Sequence, residues 1–482
     1  MLEQFRGLGT RKIFKNFSYN LSYQIFSIIL PVISIPYLTR VINQDLLGMK
    51  TLASAICSYF VLAGTLGINT FGAREIAKKQ SNSETRSVAF FKICLIQLSA
   101  HTCSIGVYIL YTILFSPYKG LQAILLLYLI SSMFDISWLF IGMENFKDVA
   151  LRNLFVKLCG FALLFIFVKS DNDIYKYVIT IYAPQIIINV YMWYKTKYII
   201  DYTLFSKVIA IDKSYLKDSF SLFLPQIASS IYTVLDKTIL GLFVSYSVVA
   251  TYDQAQSLLR LFLAIIPSFS KVMMPRISNS IYEGKGEYTE KLLEMSAKFI
   301  WGLSFLIFFG VIACSDFFVD WYLPESYSDA AIIIKICAPI ILAVSGSNLI
   351  SIQYLIPIGK QKIYTASIAA AAVINCILNF ILVPIIGVYG ICIASVTAEF
   401  IGFFIQVYFV QRYLKVIRLF GSLPVYTISG AVMFIMLLWI KKFFSPNIVN
   451  TFLLAVTGTV LYICTYFVVD KIVKLTQIVT TK

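Results

Sequence analysis

The 482 residues are 59% hydrophobic and 13% charged, with a mean hydropathy of +0.82. So few charges cannot clothe a soluble protein of this length, and continuous apolar runs of about 20 residues mark membrane helices rather than the alternating strands of a barrel. The net charge of +16 would suggest nucleic acid in a soluble chain, but here Lys and Arg sit in the connections between apolar runs, as membrane insertion requires, and no nucleic-acid partner is expected.

Residues 1–16 are basic and polar, and the first apolar run is too long for a leader, so no cleavable leader is expected. Fourteen spans follow, near 17–39, 48–70, 88–114, 121–141, 149–168, 174–194, 218–242, 247–270, 293–314, 330–356, 363–383, 387–410, 424–440 and 448–469. The even count puts both termini on one side. That side carries 26 Lys and Arg against five (Arg40, Lys119, Lys169, Lys441, Lys442) on the other, which predicts cytoplasmic termini. The longest outer loop, 315–329, is acidic, with Asp316, Asp320, Glu325 and Asp329. The longest inner connection, 195–217, mixes Lys and Asp with Ile199, Ile200, Leu204, Phe205, Val208 and Ile209, and reads as an amphipathic linker on the membrane surface.

The linker separates two similar halves. Shifting the chain by 202 residues superposes nine identical residues over 21–77, including Gln24 on Gln226, Ser27 on Ser229 and Arg74 on Arg276. The expected fold is therefore all-α. A first six-helix lobe covers residues 1–194 and a second covers 218–420, related by a pseudo-twofold along the membrane normal. Residues 421–482 supply spans 13 and 14 and a cytoplasmic tail.

Polar residues inside spans mark the candidate site. Span 1 carries a stripe of Asn20, Gln24, Ser27, Pro31 and Ser34, and span 7 one of Gln226, Ser229, Thr233 and Asp236. Such a face lines a cavity or glues helices together. A charge at the bilayer centre costs about 2.5–3.5 kcal/mol even on the lenient insertion scale. Lys50, Lys157, Lys237, Arg260 and Lys335, with Arg40 and Arg152 nearer span ends, outnumber Asp135, Asp236, Asp253 and Glu399. A cation-rich, wet cavity suits an anionic phosphate or pyrophosphate headgroup and suits a cationic drug poorly. The carboxylates would hold those cations in place or bind a coupling H⁺ or Na⁺; structural ion pairs are the alternative for each. The nine cysteines show no metal or redox spacing, and one histidine, His101, leaves little for acid–base chemistry. No phosphate-cradling GxxxxGK[ST], HExxH or GxSxG occurs. A transporter without its own ATPase, metal or cofactor is expected, coupled to the membrane potential, H⁺ or Na⁺.

Several motifs carry a resemblance. Leu30-Pro31, Pro36-Tyr37-Leu38-Thr39-Arg40-Val41-Ile42 and Gly48 resemble the opening of polysaccharide-unit flippases of the Wzx type, as do Leu66-Gly67-Ile68 and Gly72-Ala73-Arg74-Glu75-Ile76-Ala77. Leu224-Pro225-Gln226, Leu235-Asp236-Lys237, Tyr252-Asp253-Gln254-Ala255, Met274-Pro275-Arg276, Gly359-Lys360-Gln361-Lys362, Asn375, Asn379 and Glu399 continue it along nearly the whole chain. The pattern departs at Asn43, where glycine is expected, and at Ile391-Cys392, where a small pair is expected. The resemblance implies the multidrug/oligosaccharidyl-lipid/polysaccharide exporter superfamily and a fold like its multidrug exporters, with two six-helix lobes around a central cavity. It implies a flippase in the bacterial inner membrane. The cargo would be undecaprenyl-pyrophosphate-linked repeat units of O-antigen or a related surface polysaccharide, carried to the outer leaflet by alternating access, with membrane lipids and other polysaccharide assembly proteins as partners. The alternatives are a peptidoglycan-precursor flippase or multidrug antiporter of the same superfamily and, from another class, a membrane-embedded glycosyltransferase or polymerase.

Overall fold

The computed structural model describes residues 26–208 and 212–480, without the side chains of residues 207, 224–225, 228–233 and 474–480. The chain is helical throughout these residues. Ten helical stretches are long and apolar enough to cross a membrane, eleven if the pair Glu325–Cys337 and Ile340–Leu355, bent by 43°, forms one span. Helices also occupy the positions expected for spans 1, 6 and 7: α1 (Phe26–Val41), α8 (Ile174–Thr196) and α9 (Lys213–Phe243). The chain forms two compact units, Met1–Thr238 and Ile239–Lys482, with the dividing point in the sequence of α9.

In the first unit α2 (Gln44–Thr65) starts at Asn43, whose side chain accepts from the Asp45 amide at 2.8 Å. The residue that departs from the family pattern therefore serves as a helix cap. The expected span 48–70 lies within one membrane-long stretch, Gln44–Lys78, that carries a local break. Leu66 and Gly67 both take left-handed backbone angles, and α3 (Ile68–Lys78) follows them. Gly67 is required twice over: its φ is +75°, and a Cβ there would lie 2.7 Å from the Ser219 carbonyl and 2.8 Å from the Phe223 nitrogen of α9. Ser219 Oγ donates to the Leu66 carbonyl freed by the break, at 2.6 Å.

Span 4, one membrane-long stretch from Lys119 to Gly142, carries a local break of its own. After α4 (Ser83–Leu114), α5 (Lys119–Met133) stops, residues 134–136 turn, and α6 (Ser137–Gly142) resumes. Lipid offers no partner to carbonyls released this way. Gln97 of α4, almost fully buried, supplies one. Its Nε2 reaches the carbonyls of Ser132, Met133 and Asp135 at 3.3, 3.0 and 2.9 Å, and its Oε1 accepts from the Trp138 indole at 2.9 Å. His101, one turn on, is also buried and bonds Gln97 O and Ser132 Oγ at 2.9 and 3.2 Å. It lies against Gly64, where a Cβ would be 2.8 Å from the imidazole. The single histidine is part of the packing of this break. Helix α7 (Phe146–Phe167) then packs along α8.

The connection from α8 to α9 is stitched to its own unit. It contains one short 3₁₀ turn, Tyr202–Lys207, and α9 already starts at Lys213. Arg86 Nη2 donates to the Ile199 carbonyl at 2.7 Å, the Asp201 amide to Ser87 Oγ at 2.9 Å, and Lys92 Nζ lies 2.8 Å from Asp212. Hydrogen bonds from Lys92 and Ser214 hold the Asp212 carboxyl well below the usual carboxylate range. Ile209 lies outside the described residues.

The second unit continues with α10 (Tyr246–Leu263), α11 (Ile265–Tyr282) and α12 (Gly286–Tyr322). Helix α12 absorbs half of the acidic loop expected at 315–329. A bend follows between α13 (Ala330–Cys337) and α14 (Ile340–Ser347) at Pro339, which has no amide to donate, and a π-helical stretch, Asn348–Leu355, ends the element. Helices α15 (Gln361–Ile386) and α16 (Val388–Val410) form the most extensive pair. Buried amides and hydroxyls join this unit: Gln406 accepts from Ser351 at 2.7 Å and donates to Ser367 at 2.9 Å, and Asn379 bonds Asn375 at 3.0 Å. A short α17 (Ile417–Phe420) precedes α18 (Leu423–Ile440) and α19 (Ile448–Thr480), which pack on each other and on α12.

Gly67→Ala combines a left-handed backbone with a clash against the α9 main chain, and should cost about 3 kcal/mol or more. Thermal unfolding in detergent should show a large drop in Tm; an unchanged Tm would mean that α9 does not cross there. Gln97→Leu strands several carbonyls and an indole N–H, at about 2–4 kcal/mol, and Gln97→Glu should be no better, because a carboxylate has no hydrogen to donate. The Tm series separates the two.

Candidate functional site

The two breaks open onto the same cavity, of about 380 Å³, in the first unit. Tyr59 and Thr65 come from α2, Asn69 from the start of α3, Tyr128, Ser131 and Ser132 from the end of α5, Asp135 from the second break, Gln185 from α8 and Gln226 from α9. The cavity is thus walled by hydroxyls, primary amides and tyrosine rings. Ser131 Oγ lies 3.3 Å from Gln185 Oε1, Tyr59 OH 3.1 Å from Thr238 Oγ1, and Tyr128 stacks on Tyr182 at 4.7 Å between ring centres.

Among the described residues, Asp135 is the only charged side chain that lines this cavity. Its Oδ1 accepts from the Ser137 amide at 2.8 Å, and Arg152 of α7 lies 2.6 Å from Oδ2. Arg152 is itself fixed by Asn189 Oδ1, at 3.1 Å from Nη2 and 3.3 Å from Nε, and by Asn153 Oδ1 at 3.2 Å. Asn189 Nδ2 donates to the Ser131 carbonyl at 2.7 Å, which closes the network back onto the end of α5. A half-buried carboxylate is therefore held at the mouth of a broken helix, with its counter-ion behind the cavity wall.

Of the residues singled out in the sequence, Asp135 and Gln226 line this cavity, and Gln24 lies outside the described residues. No Lys or Arg lines the cavity among the described residues. Lys50 stands over the Tyr177 ring, 5.1 Å from its centre. Arg40 is exposed, with Nη1 2.9 Å from the Pro36 carbonyl, and Lys157 is exposed on α7. Asp236 is buried and Lys237 half-buried on α9. In the second unit Asp253 is half-buried on α10, Arg260 is exposed on its last turn, and Glu399 is half-buried on α16 within electrostatic reach of Tyr364. Lys335 is ion-paired with Asp316 of α12, and Lys441 lies 3.6 Å from the same carboxylate. Asp316 was expected in an outer loop; the extension of α12 to Tyr322 brings it into helical register with Lys335.

Gln97, Gln185 and Asn189 join this site although none belongs to the polar stripes or buried charges of the spans. Their signal was available: each is an amide within an apolar run, as costly in lipid without a partner as a serine stripe or more so. The second unit holds a different cavity, of about 370 Å³, walled by Leu258 and Phe262 of α10, Leu303 and Ile307 of α12, Leu437 of α18 and Leu454 of α19, and almost wholly apolar.

The profile of the family "Polysaccharide biosynthesis protein" matches residues 13–281, more than half of the chain. A curated relative from Shigella dysenteriae, named "Putative O-antigen transporter", is 26% identical over 380 residues, covering 77% of this chain and 92% of the relative. Among solved structures, Lipid II flippase MurJ in an inward closed conformation matches with a TM-score of 0.75 at 15% identity, over 96% of this chain and 100% of that one. An inward-facing multidrug resistance MATE family transporter of the MOP superfamily matches with a TM-score of 0.62 at 12% identity, over 80% and 97%. At these identities the structural likenesses establish the fold, and the sequence match establishes the family: this chain is a polytopic helical membrane protein that belongs to the polysaccharide biosynthesis protein family.

Proposed function

We propose that the chain is a flippase for lipid-linked oligosaccharide, carrying undecaprenyl-pyrophosphate-linked repeat units of O-antigen or a related polysaccharide across the bacterial inner membrane by alternating access. The observation that carries this reading is the polar cavity built on two broken helices of the first unit, walled by hydroxyl, amide and tyrosine groups. These are the groups that hydrogen-bond and stack on sugars, and unwound helix ends facing a cavity are where transporters place their cargo. The name of the Shigella relative points to the same cargo class.

The pyrophosphate needs cations, and the sugar cavity supplies none. Arg40, Lys50, Lys157, Lys237 and Arg260 remain the candidates; Lys335 drops behind them because Asp316 already neutralises it. An inside-negative potential favours outward movement of a doubly charged headgroup by roughly 5 kcal/mol per 100 mV, so the protein has only to lower the barrier. Asp236, Asp253 and Glu399 are the candidates for H⁺ or Na⁺ coupling, and Asp135, held by Arg152, acts as a positioning group for the cavity. All fourteen sequence-expected spans cross the membrane in this reading, α1, α8 and α9 among them, with both termini cytoplasmic, the linker near 195–217 joining two six-helix halves, and α18–α19 standing outside the repeat.

The decisive experiment deletes the gene, identifies the lipid-linked glycan that accumulates on the cytoplasmic leaflet, and complements with variants. Asp135→Asn keeps the size of the side chain and should cut surface polysaccharide at least about tenfold at normal protein level, since a charge-assisted bond becomes a neutral one beside the substrate. Arg152→Ala strands a half-buried carboxylate, and the double variant Asp135→Asn/Arg152→Gln should recover protein level but not export. Full export by that double variant would remove the pair from the site. Reporter fusions after Ser326 and Val473 should report periplasm and cytoplasm; the same compartment for both would refute the topology.

A further inference from the structure

A second cavity of the first unit, about 460 Å³, lies between the start of α7 and the end of α8, with Arg152 in its lining. Its mouth is basic. Lys147 is exposed on the first turn of α7, and no acid pairs with it among the described residues. Lys195 ends α8, 2.8 Å from Asp148 and 5.3 Å from the centre of the Tyr191 ring. Lys197, just beyond, stands 3.7 Å over Tyr194 and 4.9 Å over Tyr198. Three exposed tyrosines beside these lysines form the amphipathic belt that membrane proteins place at the headgroup level. Below the mouth the walls turn apolar, with Leu154, Phe155 and Leu158 of α7 facing Ile188 of α8. Among the described residues Asp148 is the only acid lining the cavity, and Lys195 and Asn145 already hold it, at 2.8 and 2.7 Å.

We propose that this groove is a binding site for an anionic phospholipid, with the phosphate among Lys147, Lys195 and Tyr191 and an acyl chain along the apolar wall between α7 and α8. Basic pockets between membrane helices, rimmed by aromatic residues, are complementary to such headgroups, and each cation near the surface adds to the attraction. The geometry gives the site a consequence. Arg152 lines this groove and also pairs with Asp135 of the polar cavity. A lipid phosphate seated here therefore adds negative charge beside the one cation that fixes the cavity's carboxylate. The binding proposal is independent of the transport reading, since it concerns occupancy of the groove and not export.

The full chain is placed in phosphatidylcholine nanodiscs, phosphatidylglycerol is titrated in, and retained lipid is counted by native mass spectrometry after release. Wild type should retain phosphatidylglycerol in preference to phosphatidylcholine. Lys147→Glu, which changes the mouth by two charges, should weaken that retention about tenfold, and Lys147→Gln by a smaller factor. Lys285→Gln, a charge change in the second unit, should leave retention unchanged. Leu158→Trp, which fills the apolar wall, should displace the lipid with every charge intact. Equal retention by wild type and both Lys147 variants, or no preference for phosphatidylglycerol, would overturn the assignment. So would displacement of the lipid by millimolar inorganic phosphate, which would show a simple anion site.

Discussion

Inside a bilayer a backbone carbonyl that leaves a helix has no water to turn to, and an unpaired one costs several kcal/mol. The first unit is organised around that constraint at two places. At Leu66–Gly67 the released carbonyl is met by Ser219, and the main chain of α9 comes so close that only glycine fits. At residues 134–136 three carbonyls are met by one amide, Gln97, locked in turn by Trp138. These partners make mid-span breaks stable, and the breaks in turn make a polar cavity possible in a chain of this hydrophobicity. An unbroken α5–α6 would turn Asp135 into an ordinary helical side chain with no reason to face Ser132 and Gln185.

The same constraint explains what could be read from sequence. Long apolar runs with cationic connections have only one structural solution in lipid, so helix positions were legible to within one to eight residues at an end in spans such as 387–410 against Val388–Val410 or 293–314 against Gly286–Tyr322. The breaks were not. Hydropathy averages over a window longer than the two or three residues that turn, and Leu66-Gly67 or Phe134-Asp135-Ile136 is apolar enough to pass as span. Gly67 and Asp135 were visible as residues, but the partners that let them break a helix, Ser219 and Gln97, are 152 and 38 positions away. A 202-residue repeat locates halves of a chain; it cannot locate that kind of long-range satisfaction.

Charge and neutral polarity point to different residues. Counting ionisable residues in spans predicts a cation-rich cavity, yet the described cavity of the first unit is lined by one carboxylate and a set of neutral polar groups. Lys335 shows how such a count misleads: its partner Asp316 sat in what the sequence presented as a loop, and two more turns of α12 convert an apparently unpaired intramembrane lysine into one arm of an ion pair. A charge in a span argues for a function only after its neighbours on other helices are known.

Arg152 illustrates the converse. Near a span end it reads as a residue whose guanidinium can snorkel to the interface. In the structure its fork is spent inward, on Asp135, Asn189 and Asn153, leaving its flank as part of the groove between α7 and α8. A planar guanidinium can serve two chemically distinct surfaces in this way because its donors diverge in one plane; a lysine at the same position could neutralise Asp135, but its compact ammonium lacks the fixed, spread fork that reaches Asp135, Asn189 and Asn153 at once. Arginine at position 152 is thus required by the geometry around the second break, and Arg152→Lys would preserve the charge while loosening the carboxylate that the polar cavity is built around.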